Sequence, residues 1–198
     1  MNGHQKQKEQ SGRMIEEALF ALMAQKDYSR ITVSEIVRKA DVSRRTFYRL
    51  YKEKDDVLRC YLGKLCQEYR GKSPVLERYD IYQIAREYFG FWYQYRDFLL
   101  LMHRSGLDGM LYYEISRVSA DVVTKRIAQP VQKNLCGIEY FADYSTGGFL
   151  LLLQRWLMTE MRDTPEQYAE TVSGALLNFI RPAESKARCV LMRNREGQ

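Results

Sequence analysis

Residues 32 to 51 read TVSEIVRKADVSRRTFYRLY, and this stretch decides the fold. Thr32 and Glu35 have the spacing of a capping box, in which a hydroxyl and a carboxylate each bond a free backbone N–H at the start of a helix. Ser43 is a good N-cap for a second helix, because its side-chain oxygen can accept from the next turn. The stretch therefore predicts two short helices joined by a tight turn, which is a helix-turn-helix.

The second of these helices, predicted over residues 44–51, has two different faces. Phe47, Leu50 and Tyr51 can face a core, whereas the opposite side is cationic and aromatic. Such a face fits a DNA major groove, where Arg holds guanine O6 and N7 and neighbouring side chains bond phosphates. Arg44 and Arg45 lie in the first turn and are the predicted base contacts. The whole predicted DNA-binding set is Thr32, Ser34, Ser43, Arg44, Arg45, Thr46, Tyr48, Arg49 and Lys54, with Thr46, Tyr48 and Lys54 assigned to phosphates.

The net charge of +6 is concentrated in the first third of the chain. Residues 1–72 hold 16 Lys and Arg against 10 Asp and Glu, and residues 73–198 hold 15 of each. A local basic excess favours a polyanionic partner for that region, because binding releases counterions from the phosphates.

Several classes of protein are disfavoured. The four cysteines, Cys60, Cys66, Cys136 and Cys189, form no C-x-x-C pair, and His4 and His103 are the two histidines, so we expect no metal site and no cofactor. We find no P-loop and no G-x-S-x-G motif, and we predict that the protein is not an enzyme. A thiol redox sensor using Cys60 or Cys66 is an open alternative.

The N-terminal segment is polar and has no apolar stretch like that of a signal peptide, and purely apolar runs such as residues 149–153 are short. About 20 such residues are needed to cross a bilayer. We therefore expect a cytoplasmic protein.

Helical periodicity extends along the chain and predicts an all-α fold of about nine helices. A first helix is expected from Ile15 to about Asp27, and a capping box at Thr164 and Gln167 opens the last one. The predicted organisation is a disordered arm over 1–10, a helix-turn-helix domain over 11–72, a helical ligand-binding and dimerisation domain over 73–182, and a basic flexible tail over 183–198.

The segment from Arg13 to Leu58 resembles the N-terminal domain of the TetR/AcrR family of transcription regulators. The matching residues are Ile31-Thr32-Val33, Ile36, Ala40, Val42-Ser43, Thr46-Phe47-Tyr48, Tyr51, Lys54 and Leu58. Asp41 departs from the glycine usual in the turn, Asp27 from a common glycine, and Tyr51 from a usual Phe. Since Asp tolerates the left-handed backbone better than most residues, we expect the turn to form.

The remainder resembles the C-terminal domain of one family branch, which includes the dihydroxyacetone-kinase-operon regulators, through residues 95–99, 106–107 and 141–161. The resemblance implies a homodimer that binds a near-palindromic double-stranded operator, and a small-molecule ligand that releases or alters it. A repressor is the more usual outcome in the family. A co-regulator that acts through protein–protein contacts is the alternative.

The resemblance also implies an interface built from the last two long helices and a pocket among the middle ones. The dimer residues expected on this basis are Gly147, Gly148, Leu150, Leu153, Leu157, Met161, Tyr168, Val172, Ala175, Leu176 and Phe179. The expected pocket residues are Tyr88, Trp92, Tyr95, His103, Met110 and Tyr112.

Overall fold

The computed structural model describes residues 3–72, 80–127 and 138–180, which form helices without any strand. The all-α prediction is confirmed. The helices are α1 (Gly3–Met23), α2 (Val33–Lys39), α3 (Arg44–Leu50), α4 (Lys54–Lys72), α5 (Ile81–Tyr93), α6 (Arg96–Arg104), α7 (Asp108–Ile127), α8 (Ile138–Met158) and α9 (Pro165–Ile180), with a short 3-10 helix at Tyr28–Arg30. The predicted tail at 183–198 and the predicted helix stop at Pro130 lie outside the described residues.

The first helix corrects the prediction of a disordered arm. α1 begins at Gly3, although the side chains of residues 5–10 are exposed. Gln, Lys and Glu are good helix formers, so they extend a helix that Ile15 and Leu19 anchor in the core. At its other end α1 stops at Met23 rather than near Asp27, because the chain then turns into the 3-10 helix.

The chain forms two compact units. The larger contains α1–α4 and α6–α8, in which α1 packs against α2, α3 and α4, while α7 packs against α4, α6 and α8. The smaller contains α5 and α9, which pack on each other. The predicted domain border at residue 72 follows the change in net charge. The helix contacts instead place α6–α8 in the same unit as the helix-turn-helix, because α4 packs along α7.

In the larger unit, the end of α8 lies beside α6. Arg104 Nη2 of α6 bonds Glu160 Oε1 at 2.9 Å, and Arg96 Nη2 donates to the Glu160 carbonyl at 2.7 Å. Since α6 leads through Gly106 directly into α7, the end of α8 is placed at the start of α7. The two long helices are therefore antiparallel.

The smaller unit is built from two capped helices. Asp80 accepts from the backbone N–H of Tyr82 at 2.9 Å and so caps α5. The capping box predicted before α9 is confirmed, since Thr164 N donates to Gln167 Oε1 at 3.0 Å and Gln167 N donates to Thr164 Oγ1 at 3.3 Å. Phe89 and Tyr168 join the helices through an edge-to-face ring contact with centroids 4.8 Å apart.

Among the described residues, no helix combines the length and apolar character that crossing a membrane requires.

Candidate nucleic-acid interface

The start of α2 is fixed by the predicted capping box. Glu35 N donates to Thr32 Oγ1 at 3.3 Å, and Thr32 N donates to Glu35 Oε2 at 3.0 Å. Lys26 Nζ also donates to Glu35 Oε1 at 2.6 Å. The hydrogen bond from Lys26, followed by those from Thr32, lowers the pKa of Glu35 to about 2. This carboxylate stays ionised and is engaged within the protein, so it holds the first turn of α2 in place.

The turn between α2 and α3 has a left-handed residue at Asp41, with φ of +50°. Val42 N then donates to the Val37 carbonyl at 3.0 Å and closes the end of α2. A left-handed residue after a helix is usually Gly or Asn, because a Cβ is strained there. Asp41 therefore adopts the left-handed conformation expected of this turn, although the residue usual at the position is glycine.

The recognition helix α3 begins where Ser43 caps it. Thr46 N donates to Ser43 Oγ at 3.0 Å, and the backbone of Tyr51 ends the helix by donating to the Phe47 carbonyl at 2.9 Å. Phe47 and Tyr51 are buried, as predicted, and Leu50 is half-buried. The sequence correctly separates the core side of this helix from its outer side.

The outer side of α3 is basic and open to solvent. Arg44, Arg45 and Arg49 are exposed, and Tyr48 is 55% exposed. None of these three arginines forms an ion pair within residues 3–72, 80–127 and 138–180. Their charges are therefore available to an external anion. We name the surface formed by Arg44, Arg45, Tyr48 and Arg49 the α3 basic face.

The remaining predicted contacts border the α3 basic face. Ser34, in the first turn of α2, accepts a hydrogen bond from Arg44 Nη2, which brings the two short helices together at their N-terminal ends. Thr32 and Ser43 are exposed and cap α2 and α3, while Thr46 is half-buried.

Lys54, for which the sequence predicts a phosphate contact, is bonded within the protein. Its Nζ donates to the carbonyls of Tyr28 at 2.7 Å, Ile31 at 3.0 Å and Ser29 at 3.3 Å. The same ammonium lies 4.4 Å from the centroid of the Tyr28 ring. An ammonium group has three protons, and all three are directed to carbonyls of the segment before α2. Lys54 thus joins the start of α4 to the loop that positions the helix-turn-helix.

A buried carboxylate that the sequence did not single out supports the other end of α3. Glu16 in α1 is 4% exposed and lies 2.5 Å from Lys64 Nζ of α4. The hydroxyl of Tyr51 donates to the same Glu16 oxygen at 3.3 Å. The ion pair between α1 and α4 therefore also holds the residue that ends α3. Glu16 lies next to Ile15 on the predicted core face, but nothing local in the sequence identifies its partners.

The predicted pocket residues are divided between the two units. Tyr88 and Trp92 belong to α5 in the smaller unit and are buried there. In the larger unit, two of the others share one carboxylate. His103 Nδ1 lies 2.8 Å from Asp108 Oδ1, and the hydroxyl of Tyr112 donates to the same oxygen at 3.4 Å. Sequence reasoning missed Asp108, although its i, i+4 spacing from Tyr112 is a usable signal.

The other two predicted pocket residues are also in the larger unit. The hydroxyl of Tyr95 donates to Glu68 Oε2 at 2.6 Å, and Met110 is half-buried in α7. The polar members of the predicted pocket in the larger unit are therefore tied to carboxylates of the protein.

Several of the predicted dimer residues are buried within the single chain. Leu153, Leu157 and Met161 are at most 1% exposed in the single chain, so they cannot present surface to a partner. Tyr168 and Val172 are also buried, at 8% and 6% exposure. The exposed or half-buried members are Gly147, Gly148, Leu150, Ala175 and Leu176, and the side chain of Phe179 lies outside the described ones.

The exposed apolar side chains of α8 follow a different stripe. Tyr140, Tyr144, Leu151 and Met158 are 75%, 78%, 67% and 69% exposed. Their spacing of four and seven residues places them on one face over roughly 27 Å of helix. We name these four residues the α8 stripe. A Cβ built on neighbouring Gly147 would meet no atom within 4 Å.

Comparison with known proteins agrees with this architecture. The family model described as bacterial regulatory proteins, tetR family, matches residues 15–59, and a model described as transcriptional regulator C-terminal region matches residues 79–178. No curated protein matches the chain significantly.

One solved structure that resembles the chain remotely is the TetR family repressor AlkX from Dietzia sp. strain DQ12-45-1b, described as implicated in the biodegradation of n-alkanes. It is 15% identical, with a TM-score of 0.49 over 84% of this chain and 92% of that one. A likeness this remote adds nothing to the family match. The two family models together span the helix-turn-helix and the helices after it, and the chain belongs to the TetR family of bacterial DNA-binding transcription regulators.

Proposed function

We propose that this regulator is a repressor that binds a near-palindromic operator as a homodimer. Binding of a small molecule releases the repressor from the operator or alters its affinity for it. The observation that carries the DNA-binding part is the α3 basic face. It combines three exposed arginines with an exposed tyrosine on a helix that is capped and packed on its other side.

The α3 basic face fits a major groove by its size and chemistry. α3 is a helix of 7 residues, and Arg44 and Arg45 are the first two. Recognition helices read bases mainly from this end, and an arginine can donate two bonds to guanine. Tyr48 and Thr46 then supply hydroxyls for phosphate oxygens.

Selection of bound sequences from random DNA by the full chain tests this proposal directly. We expect a recovered site with two-fold symmetry and half-sites about 34 Å apart, or a multiple of that distance. The Arg44→Ala/Arg45→Ala variant should then lose about 10- to 100-fold in affinity per base contact removed. The Arg86→Ala/Arg117→Ala variant removes two exposed arginines from α5 and α7 and serves as the matched control.

The salt dependence separates base contacts from general charge. Loss of a phosphate contact lowers the slope of log affinity against log salt by about 0.9, whereas loss of a base contact mainly relaxes sequence preference. Equal affinity and equal sequence preference for the Arg44→Ala/Arg45→Ala variant and the wild type would overturn the assignment. Retention of a protein partner in place of DNA would favour the co-regulator alternative.

The homodimer is supported by the α8 stripe. Four large apolar side chains, each at least 67% exposed, form a continuous face in the single chain. Exposed patches of this kind mark association sites, and a two-fold dimer pairs the same patch of each copy. Gly147 lies on this side and leaves room for close approach of a second helix.

Sedimentation of the Leu151→Glu/Met158→Glu variant tests this interface. We expect a dimeric wild type and a largely monomeric variant, because the two carboxylates added to each copy would be buried against those of the other copy across the two-fold axis. Tyr113→Glu is the matched control, since Tyr113 is 63% exposed on α7 and lies off the stripe. A variant that remains dimeric would exclude this face.

A further inference from the structure

Two buried hydroxyls in the larger unit have no hydrogen-bond partner among the residues that the structure describes. Ser119 of α7 is 4% exposed and Thr146 of α8 is 6% exposed, and neither Ser119 Oγ nor Thr146 Oγ1 is bonded. Some other helical hydroxyls bond a preceding carbonyl, as Ser116 does to Tyr113 at 2.9 Å and Ser173 to Glu170 at 3.1 Å. Ser119 and Thr146 lack this local solution.

The two hydroxyls lie at the same level of the packed helices. α7 and α8 are in contact and antiparallel, with the end of α8 held beside α6 through Arg104 and Glu160. Ser119 is twelve residues into α7, and Thr146 is about the same number of residues from the end of α8. At about 1.5 Å per residue, both lie roughly 18 Å from that end. Two orphaned hydroxyls therefore lie at about the same level of two packed helices, and we name the contact between α7 and α8 the seam.

The surroundings of the seam are apolar. The buried residues on the same faces of the two helices are Leu111, Ile115, Val122, Ala142 and Leu153. Among the described residues, Glu16 is the one buried charged side chain, and it lies in α1 against Lys64. A charged ligand group would therefore find no buried counter-charge here, whereas a neutral donor or acceptor would satisfy both hydroxyls.

α4 covers α7 along the same stretch. Cys66 Sγ donates to the Glu114 carbonyl at 3.5 Å, and Arg70 Nε lies 3.1 Å from Asp121 Oδ2. These two contacts bracket Ser119 along α7. A molecule that enters the seam and displaces α7 therefore acts on the helix that follows the helix-turn-helix.

We propose that the seam between α7 and α8 is the effector site, and that Ser119 and Thr146 bind the hydroxyl or carbonyl group of a neutral, mainly apolar small molecule. The role of this molecule as an effector rests on the proposed function, but its binding does not. This site differs from the pocket expected among Tyr88, Trp92, Tyr95, His103, Met110 and Tyr112.

The test uses the full chain and three neutral probes of different shape, namely 1-octanol, menthol and 2-naphthol, with octanoate as the charged counterpart. Calorimetry and thermal unfolding compare the wild type with Ser119→Ala/Thr146→Val. The control is Ser116→Ala/Ser173→Ala, which removes two hydroxyls that already have carbonyl partners.

We expect the unliganded Ser119→Ala/Thr146→Val protein to melt at a higher temperature than the wild type, because it no longer buries unsatisfied hydroxyls. At least one neutral probe should bind the wild type saturably, bind this variant about 10- to 100-fold more weakly, and bind the control as it binds the wild type. Octanoate should bind more weakly than 1-octanol.

The proposed site would be refuted if none of the three neutral probes bound saturably. It would also be refuted if the probes bound the wild type and the Ser119→Ala/Thr146→Val variant with equal affinity. Operator binding measured in the same preparations separates the two proposals. A protein that binds its operator but none of the probes refutes the seam alone, and one that binds probes but no DNA refutes the proposed function alone.

Discussion

Replacing Lys54 with methionine distinguishes a structural role from DNA contact. Methionine keeps most of the apolar stem and removes the ammonium that bonds the carbonyls of Tyr28, Ser29 and Ile31. The two part-buried bonds, to Tyr28 and Ile31, contribute about 1 kcal/mol each, and the cation–π contact adds about 0.5–1 kcal/mol. We therefore expect the free energy of unfolding to fall by about 2–3 kcal/mol.

Urea unfolding followed by circular dichroism measures this loss, and operator binding against salt is measured on the same protein well below its melting temperature. A chain of this length should melt about 4–10 °C lower. The matched control is Lys52→Met, an exposed lysine two residues earlier, which should change the free energy of unfolding by less than about 0.5 kcal/mol. Unchanged stability of Lys54→Met, together with a salt slope lower by about 0.9, would refute our reasoning and restore the phosphate contact.

Three further outcomes are expected. The pKa of Glu35 is about 2 in the folded protein against an ordinary 4.5, so the folded state binds fewer protons than the unfolded state between these values. The free energy of unfolding should therefore fall as the pH drops from about 5 to 2. Glu35→Gln should flatten this dependence, as measured by urea unfolding at pH 6 and pH 3. Lys64→Met leaves the buried Glu16 carboxylate without its ion-pair partner and should lower the free energy of unfolding by about 1–2 kcal/mol. The loss is modest because Lys64 is more than half exposed. Lys64→Arg should keep most of the wild-type stability in the same assay. Burial raises the pKa of the Cys66 thiol to about 11 and also raises that of Cys60, so operator binding by a chain with Cys136→Ser and Cys189→Ser should be equal in diamide and in dithiothreitol; a difference would revive the redox sensor.

The helix-turn-helix could be predicted because its determinants are local. Thr32 and Glu35 are three residues apart, and Ser43 acts on Thr46, so the sequence contains both partners of each cap within one turn. Lys54 could not be assigned in the same way, because its acceptors lie 23 to 26 residues away and are backbone atoms. Every residue has a backbone carbonyl, so the residue types at these positions do not reveal which carbonyls accept the bonds.

The α8 stripe shows a different limit of sequence reasoning. Both Leu153 and Leu151 are apolar, and α8 carries apolar residues on nearly all sides. Periodicity identifies buried faces only where polar residues alternate with apolar ones. The packing of α7 decides which side of α8 is covered, and that information is not in the α8 sequence. The pocket prediction was limited in a similar way. Trp92 and His103 were grouped because their helices are rich in aromatic residues, but they belong to different units.

The left-handed turn at Asp41 has a consequence for how this regulator can evolve. Aspartate codons are one base change from glycine codons, and glycine takes a φ of +50° without a Cβ. The same change removes a negative charge from an exposed position beside the α3 basic face. A single mutation would thus raise the stability of the turn and the attraction to DNA together. Selection can therefore adjust how strongly the operator is occupied without altering any side chain that reads its bases.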